Sequence, residues 1–227
     1  DAPFPPTCDA LDEPNGLLAV GGGLEPKRLL RAYRLGIFPW YPEHSQHILW
    51  WSPAPRCVIF PGRVHLSRRT RRRFNSGNYE LTLDHCFAEV IHACAGPRAG
   101  ENGTWITPEM EYAYTCLHEM GCAHSLEVWL DGELAGGIYG LAMGAVFFGE
   151  SMFSRSTDGS KIALVALCRL LDSAGFRMFD CQVGNPHLYS MGAENLERQD
   201  FESRLARLLD EPERWTFGPE TRLERRW

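Results

Sequence analysis

SLEVWLDGELAGGIYGLAMGAVFF, residues 125–148, carries the strongest strand signal in the chain. Asp131-Gly132 divides this stretch as a hairpin turn, and Met143-Gly144 marks a second turn. We therefore predict three antiparallel strands, at Ser125–Leu130, Glu133–Ala142 and Ala145–Phe148, which together form a meander.

Helix and strand patterns flank the meander on both sides. Residues 1–24 are rich in Pro and Gly and are predicted to be ordered loop. Pro26 opens an amphipathic helix that Gly36 closes, and Thr107-Pro108 is an N-cap followed by a first-turn proline. The predicted helices are Lys27–Leu35, Ser67–Phe74, Phe87–Ala95, Thr107–Gly121, Lys161–Gly175 and Gln199–Leu209, and the further strands are His47–Trp51, Arg56–Phe60, Tyr79–Leu83 and Met178–Val183.

This order of elements predicts an α/β (α+β) fold in two domains. A small N-terminal domain is expected over residues 1–58, and a second domain with a central, mostly antiparallel sheet over residues 59–227. The order is compatible with the GCN5-like N-acetyltransferase fold, although many other α+β folds share it.

Composition limits the classes of function. With 44% hydrophobic and 23% charged residues, the chain is an ordinary globular protein, and no apolar run approaches the ~20 residues that span a bilayer. Eight scattered cysteines are typical of reduced, buried thiols in a cytoplasmic protein. The net charge of −6 argues against indiscriminate nucleic-acid binding but still permits a local basic patch.

Two groups of polar residues are candidates for chemistry. Asp180 and Gln182 lie two apart on a predicted strand, so their side chains share a face, where they bind either a substrate group or merely loop amides. Glu150 lies among Phe and Met residues and needs a cationic partner, which is either a substrate amine or an internal Arg155 or Lys161.

A run of arginines and several tryptophans suggest nucleic-acid contact. Six arginines occur from residue 63 to residue 73 without an acid between them, which favours phosphate contact over a merely solvated helix face. Trp105 precedes a predicted helix N-terminus and suits stacking on a base, whereas core packing also accounts for Trp50 and Trp51. The arginines are Arg63, Arg68, Arg69, Arg71, Arg72 and Arg73.

Metal and nucleophile chemistry are not expected. Cys116, His118, Cys122 and His124 offer four ligand types within nine residues, but their spacing is not that of a zinc site. Neither a Ser/His/Asp signature nor a phosphate-binding loop is present.

Six motifs occur in order along the chain: EPNGLLA (13–19), GIFPW (36–40), LWWSP (49–53), GTWIT (103–107), GESMFS (149–154) and DCQ (180–182). Together they resemble the bacterial leucyl/phenylalanyl-tRNA–protein transferases, collinearly from about residue 3 to residue 209. The resemblance implies a two-domain protein with an acetyltransferase-like catalytic domain and no metal or nucleotide cofactor. It also implies transfer of Leu or Phe from aminoacyl-tRNA to proteins with N-terminal Arg or Lys, which marks them for degradation.

The resemblance also implies roles for single residues. Asp180 and Gln182 correspond to the catalytic pair, and Glu150 to the partner of the donor's α-amino group. Trp40 and Trp105 correspond to residues that hold the terminal adenosine, Arg68 and Arg72 to tRNA-backbone contacts, and Met152, Phe147, Ile138 and Leu164 to the walls of the aminoacyl pocket. Three departures bear on these roles: Gly23 replaces a common Asp, Ile138 a frequent Met, and Asn75-Ser76 further basic residues.

Aminolysis of an ester needs a neutral amine, alignment and stabilisation of the oxyanion. We expect the carbonyl oxygen of Gln182 to position the amine, with Asp180 either polarising or orienting Gln182. Cys181 is expected to face the opposite side of the strand as a buried thiol without a chemical part. Met is expected to be a weak donor, and the protein to be a monomer. Two alternatives stay open: a CoA-dependent acetyltransferase, which Asp158 in the loop 155–160 disfavours, and a non-catalytic tRNA-binding module.

Overall fold

The computed structural model describes residues 2–42, 45–96 and 106–223. The helices are α1 (Pro26–Arg34), α2 (Arg68–Ser76), α3 (Phe87–Ala95), α4 (Pro108–Glu119), α5 (Gly159–Ser173), α6 (Pro186–Ser190) and α7 (Arg198–Leu209). The strands are β1 (Leu17–Val20), β2 (Phe38–Pro39), β3 (Leu49–Trp51), β4 (Arg56–Ile59), β5 (Glu80–Leu83), β6 (Ala123–Leu130), β7 (Glu133–Met143), β8 (Val146–Ser154), β9 (Met178–Gln182) and β10 (Glu194–Leu196).

A small antiparallel sheet forms the N-terminal part, with strand order β1-β3-β2. The prediction that residues 1–24 contain no strand is wrong, because Leu17–Val20 pairs with Leu49–Trp51. The local Pro and Gly content predicts loop there, and only the distant partner strand makes the segment extended. Trp50 is fully buried, and its Nε1 donates to the Gly21 carbonyl oxygen over 2.8 Å, so core packing is confirmed for this tryptophan.

A seven-stranded sheet forms the larger part, in the order β10-β4-β9-β8-β7-β6-β5. All neighbouring strands in it are antiparallel except β8 and β9, which are parallel. The predicted mixed fold with a central, mostly antiparallel sheet is therefore confirmed. The meander is also present, although its third strand continues to Ser154 rather than ending at Phe148.

The large sheet separates two hydrophobic clusters. One cluster contains buried residues of α1, α3, α4 and α7, and the other contains buried residues of α2 and α5. The strand Arg56–Ile59 crosses the predicted domain boundary at residue 58 and pairs with β9 and β10 of the large sheet. Among the described residues, none of the helices has the length and apolarity needed to cross a membrane.

Candidate active site

The parallel strands β8 and β9 separate at the centre of the large sheet. Their pairing covers Val146–Phe148 and Met178–Asp180 and then ends. Each strand carries one extra residue just past this point: Glu150 in β8 and Cys181 in β9. Such bulges bend a strand and redirect its side chains, so the two strands diverge and leave a cleft between them.

A cavity of about 600 Å³ fills this cleft and extends to the small N-terminal sheet. Its lining is largely apolar, with few polar groups, as in most sites that bind small organic groups. The N-terminal part contributes Asn15, Phe38, Trp40, Trp51 and Pro53. The larger part contributes Ile138, Gly149, Glu150, Ser151, Met152, Phe153, Ser154, Ser160, Leu164, Phe179, Cys181, Gln182, Val183, Asn185 and Leu188.

Asp180 is fully buried and forms a two-point ion pair with Arg56. Arg56 Nε donates to Oδ1 over 2.9 Å and Arg56 Nη2 donates to Oδ2 over 2.7 Å. Arg56 is 1% exposed, donates also to the Gly36 carbonyl oxygen, and lies between the rings of Phe38 and Phe201. Sequence reasoning missed Arg56, yet an arginine in the strand R-C-V-I requires a buried acid as its partner.

Gln182 ends β9 in an unusual backbone conformation and faces the cavity. Its φ is 63°, and its backbone N–H donates to Asp180 Oδ1 over 2.9 Å. Its side-chain Nε2 donates to Glu150 Oε1 over 2.8 Å. Asp180 therefore holds Gln182 through the backbone, and the amide oxygen of Gln182 is turned away from Glu150.

Glu150 accepts three hydrogen bonds in a buried network. Tyr33 donates to Oε1 over 2.7 Å, Tyr114 donates to Oε2 over 2.8 Å, and the two hydroxyls lie 2.5 Å apart. Burial raises the pKa of Glu150 to about 7, although its hydrogen bonds oppose this rise. Burial, with the neighbouring charge of Glu150, also raises the pKa of both tyrosines.

The alternative that Glu150 pairs with Arg155 or Lys161 is wrong. Lys161 pairs with Asp158 over 3.3 Å, and the guanidinium of Arg155 lies 5.5 Å from the centre of the Phe153 ring. No cation is among the hydrogen-bonding partners of Glu150 in the described part of the chain, which are neutral donors.

Three of the four predicted wall residues line the cavity: Ile138, Met152 and Leu164. Phe147 does not line it and packs instead behind Phe179, with the two ring centres 5.4 Å apart. Cys181 also lines the cavity, so the expectation that it faces the side of β9 opposite to Gln182 is wrong. The extra residue in β9 is the physical reason, because a bulge breaks the alternation of side chains. The Cys181 thiol is nevertheless buried, and burial raises the pKa of that thiol.

Trp40 stands at the rim of the cavity with 46% of its surface exposed. Its ring meets that of Trp51 edge to face at 5.6 Å, and Trp51 Nε1 donates to the Trp40 carbonyl oxygen over 2.6 Å. Trp105 lies outside the described residues. The rim thus presents an exposed aromatic face, suitable for stacking on a base.

The basic helix α2 presents its arginines to solvent. Thr70 and Phe74 form its buried face, and Ser67 caps its N-terminus by accepting from the Thr70 N–H over 3.1 Å. Arg63, just before the helix, is 3.7 Å from Glu194. The exposed arginines of the helix are Arg68, Arg69, Arg71 and Arg72.

The two histidines considered as metal ligands, His118 and His124, belong to a hydrogen-bonded cluster. Asp84, His118 and His124 lie together, without Cys116 or Cys122. His124 Nδ1 lies 2.8 Å from Asp84 Oδ2 and Nε2 lies 3.2 Å from the Gly121 carbonyl oxygen, while His118 Nδ1 lies 2.8 Å from the Ala123 carbonyl oxygen. The ligand atoms of the three residues lie within 4.8 Å of one another, a spacing at which they could also hold a metal ion.

Comparison with known proteins shows the family of the sequence. The sequence model described as "Leucyl/phenylalanyl-tRNA protein transferase" matches residues 58–206, and that of its N-terminal domain matches residues 22–54. The leucyl/phenylalanyl-tRNA–protein transferase of Stutzerimonas stutzeri is 57% identical over 212 residues, 93% of each chain. That of Nitrosomonas europaea is 53% identical over 220 residues, 96% of this chain and 93% of its own.

Among solved structures, a GCN5-related N-acetyltransferase from Kribbella flavida aligns with 73% of this chain and 59% of its own, with a TM-score of 0.38 and 10% identity.

Proposed function

Since this chain belongs to the leucyl/phenylalanyl-tRNA–protein transferase family, we propose that it transfers Leu or Phe from aminoacyl-tRNA to protein N-termini at the cavity between β8 and β9. One observation carries the proposal: a single cavity brings an apolar wall next to the amide of Gln182 and the carboxyl of Glu150. An aminoacyl ester needs both an apolar pocket for its side chain and a polar group for its amine.

The apolar wall selects the donor amino acid. Ile138, Met152 and Leu164 accommodate the side chain of Leu or Phe. Met is still tolerated as a weak donor, because a methylene in such a pocket is worth only ~1–3 kcal/mol. Glu150 accepts a hydrogen bond from the donor's α-amino group. Since the pKa of Glu150 is about 7 and that of an α-amino group is ~7.7–8.0, an ammonium group that binds there favours the ionised carboxylate.

Gln182 positions the attacking amine of the acceptor protein. Its Nε2 is bonded to Glu150, so its carbonyl oxygen is the atom that accepts from the amine. The amine nitrogen attacks the ester carbon, the bond to the ribose 3′ oxygen breaks, and the neighbouring 2′-hydroxyl passes the amine's proton to that oxygen. Asp180 orients Gln182 and does not take the proton, because Arg56 binds both of its oxygens.

Trp40, together with Trp105, holds the terminal adenosine at the rim, and the exposed arginines of α2 contact the tRNA backbone. The acceptors are proteins with N-terminal Arg or Lys, which the transfer marks for degradation. The protein acts as a monomer in the cytoplasm, where charged tRNA is available. Residues 1–58 act as the domain that completes the adenosine end of the cavity.

The loop before α5 disfavours binding of CoA. The Ser160 N–H, which would face a pyrophosphate at this helix N-terminus, donates instead to Ser154 Oγ over 2.7 Å. Asp158 adds a negative charge at the same end.

Incubation with radiolabelled Leu-tRNA and a peptide that starts with Arg tests the proposal. We expect labelled peptide with Arg or Lys at its N-terminus and none with an acetylated N-terminus. Stable tRNA binding without labelling would indicate a binding module instead, and labelling only from acetyl-CoA would indicate an acetyltransferase.

A further inference from the structure

A group of three polar side chains, none of which lines the cavity, lies where three elements meet. Asp84 directly follows β5, His118 lies in the last turn of α4, and His124 is the second residue of β6. One ligand atom of each residue lies within 4.8 Å of those of the other two. Two imidazoles and a carboxylate are a ligand set that binds divalent transition metals in proteins.

His124 faces an oxygen atom with each of its ring nitrogens. Nδ1 lies 2.8 Å from Asp84 Oδ2, and Nε2 lies 3.2 Å from the Gly121 carbonyl oxygen. A carbonyl and an ionised carboxylate only accept hydrogen bonds, so both contacts are satisfied either by a doubly protonated ring or by a metal ion at Nδ1. With a metal at Nδ1, the Nε2–H still donates to Gly121, which is the outer contact that metal-bound histidines usually make.

His118 adds a second nitrogen at a suitable spacing. Its Nδ1 lies 3.9 Å from Asp84 Oδ1 and 2.8 Å from the Ala123 carbonyl oxygen, which is a further oxygen ligand. Ligand atoms around a tetrahedral Zn²⁺ with bonds of about 2.0 Å lie about 3.3 Å apart. The contacts of Asp84 with the two histidines, 3.9 and 2.8 Å, differ from that spacing by only about 0.5–0.6 Å.

Aromatic rings hold both imidazoles in place. The His118 ring stacks on Phe87 with the ring centres 4.3 Å apart, and the His124 ring stacks on Trp215 at 4.0 Å. Ligands that are already fixed lose little side-chain entropy when they bind an ion. The His118 side chain is 27% exposed, so an ion reaches the group from solvent.

We propose that Asp84, His118 and His124 bind one divalent first-row transition-metal ion, which stabilises the fold and takes no part in transfer. The ion takes the place of a proton between His124 and Asp84, and it links the end of α4 to the ends of β5 and β6 that lie beside it. An ion that binds the folded chain and not the unfolded chain raises the free energy of unfolding as its concentration rises.

Calorimetric titration of the metal-stripped full chain with Zn²⁺, and thermal unfolding at several Zn²⁺ concentrations, test the proposal. We expect about one ion per chain and a Tm that rises with Zn²⁺ concentration. Asp84→Asn keeps an oxygen for the Ser125 N–H and tolerates the φ of 54° at this position, but it removes the charged ligand. It should bind Zn²⁺ at least about tenfold more weakly, because even the loss of an outer partner costs ~10–100-fold.

His118→Phe keeps a ring against Phe87 and removes the ligand nitrogen, so it should weaken binding at least as much. If one of these two variants does not fold, the other decides the result. His92→Gln changes an exposed histidine elsewhere and should bind Zn²⁺ like the wild type. Unchanged binding by Asp84→Asn and His118→Phe would overturn the site.

Cysteine thiols are the competing ligands, and two of them, Cys116 and Cys122, lie close to the histidines in sequence. The double variant Cys116→Ser with Cys122→Ser should bind Zn²⁺ like the wild type. Co²⁺ in place of Zn²⁺ should give visible d–d absorption without a thiolate charge-transfer band. Loss of binding in the double variant, or a thiolate band, would overturn the site. Loss of transfer on removal of the ion, at a temperature where the chain stays folded, would overturn the purely structural role.

Discussion

At Gln182, the proposed role of the side-chain amide is to position the attacking amine and not to remove its proton. A carboxamide is too weak a base to remove the amine's proton, and its Nε2 is already bonded to Glu150. We expect Gln182→Ala to lower single-turnover transfer by ~100-fold, because a positioned acceptor is lost, and to leave tRNA affinity unchanged. Val183→Ala, a change at the next residue of the same lining, is the control. Near-normal transfer by Gln182→Ala at saturating substrate would contradict the positioning role.

Glu150 makes the stability of the protein depend on pH. Its pKa is about 7 in the folded protein, against an ordinary 4.5, so the folded state binds the proton more tightly. This stabilising contribution is complete below the ordinary pKa and is lost as the pH rises through 7. Glu150→Gln cannot ionise, and relative to the wild type its free energy of unfolding should rise by about 3 kcal/mol between about pH 4 and about pH 8.

Urea unfolding of the wild type and of Glu150→Gln at both pH values measures this difference. Tyr112→Phe changes an exposed tyrosine of α4 and should show no such difference. A stability difference that is the same at both pH values would show that the carboxyl of Glu150 does not titrate between them.

At the residue scale, the sequence predicts the polar groups of the site but not the residues that hold them. Asp180, Gln182 and Glu150 stand out because each is a polar residue in an apolar strand. Tyr33 and Tyr114, by contrast, look like ordinary core aromatics on helices, and they meet Glu150 only across 117 and 36 residues of chain. Periodicity places residues on faces of one element and cannot show which distant elements meet.

Between elements, the pair Arg56–Asp180 joins β4 to β9, the strand that carries the proposed catalytic residues. Arg56→Met leaves Asp180 buried without its cation and should lower the free energy of unfolding by about 3–5 kcal/mol. The double variant Arg56→Met with Asp180→Asn removes the unpaired charge and should recover most of that stability, as urea unfolding would show.

The same double variant tests what Asp180 does in the reaction. Asn keeps an oxygen that accepts from the Gln182 N–H, so transfer should stay within about tenfold of the wild type if Asp180 only orients. A double variant that is stable but does not transfer would show that the charge of Asp180 itself is required.

Helix α2 carries the proposed tRNA-binding arginines on its exposed face. Arg68→Ala with Arg72→Ala should raise KM for aminoacyl-tRNA and leave kcat at saturation unchanged. The slope of log KM against log salt should also fall by about 1 for each phosphate group that the variant no longer neutralises. Arg207→Ala, an exposed arginine of α7, is the control and should leave both KM and the slope unchanged. A fall in kcat alone would show that the two arginines do not bind tRNA.

At the scale of elements, a strand is predictable when its own sequence has a clear turn and apolar pattern. A strand that is extended only because it pairs with a distant strand is not predictable. The meander β6–β8 is predicted from its turns and its apolar pattern. β10 (Glu194–Leu196) has two exposed polar residues of three, and it is extended because it pairs with β4. The bulges at Glu150 and Cys181 cannot be predicted for the same reason, because each bulge is defined by the register with a neighbouring strand.

In the whole molecule, the candidate site is a cavity lined by both the small sheet and the large sheet, so no single segment of the chain forms it. The small sheet supplies Phe38, Trp40 and Trp51, and the separated strands β8 and β9 supply Glu150 and Gln182. The sequence predicts these residues as separate motifs along the chain. Their meeting depends on contacts across the whole fold, such as Arg198 donating to the Ser52 carbonyl oxygen over 2.9 Å.

The segment after α7 packs against side chains of the large sheet. It lies beyond residue 206, where the match to the family's main sequence model ends. The Trp215 ring stacks on His124 at 4.0 Å and lies 5.9 Å from Phe147, behind the cavity wall. Trp215→Ala should lower the free energy of unfolding by about 2–4 kcal/mol, because it removes a large apolar ring from a packed aromatic group.

Trp40→Ala is the matched change, since it removes a tryptophan that is 46% exposed at the rim of the cavity. Trp40→Ala should leave the free energy of unfolding within about 0.5 kcal/mol of the wild type and should raise KM for aminoacyl-tRNA. Trp215→Ala, by contrast, should lower the free energy of unfolding and leave KM unchanged. Unfolding curves and transfer kinetics of both variants separate the two roles. If Trp215→Ala raised KM without loss of stability, the segment after α7 would take part in substrate binding rather than in closing the core.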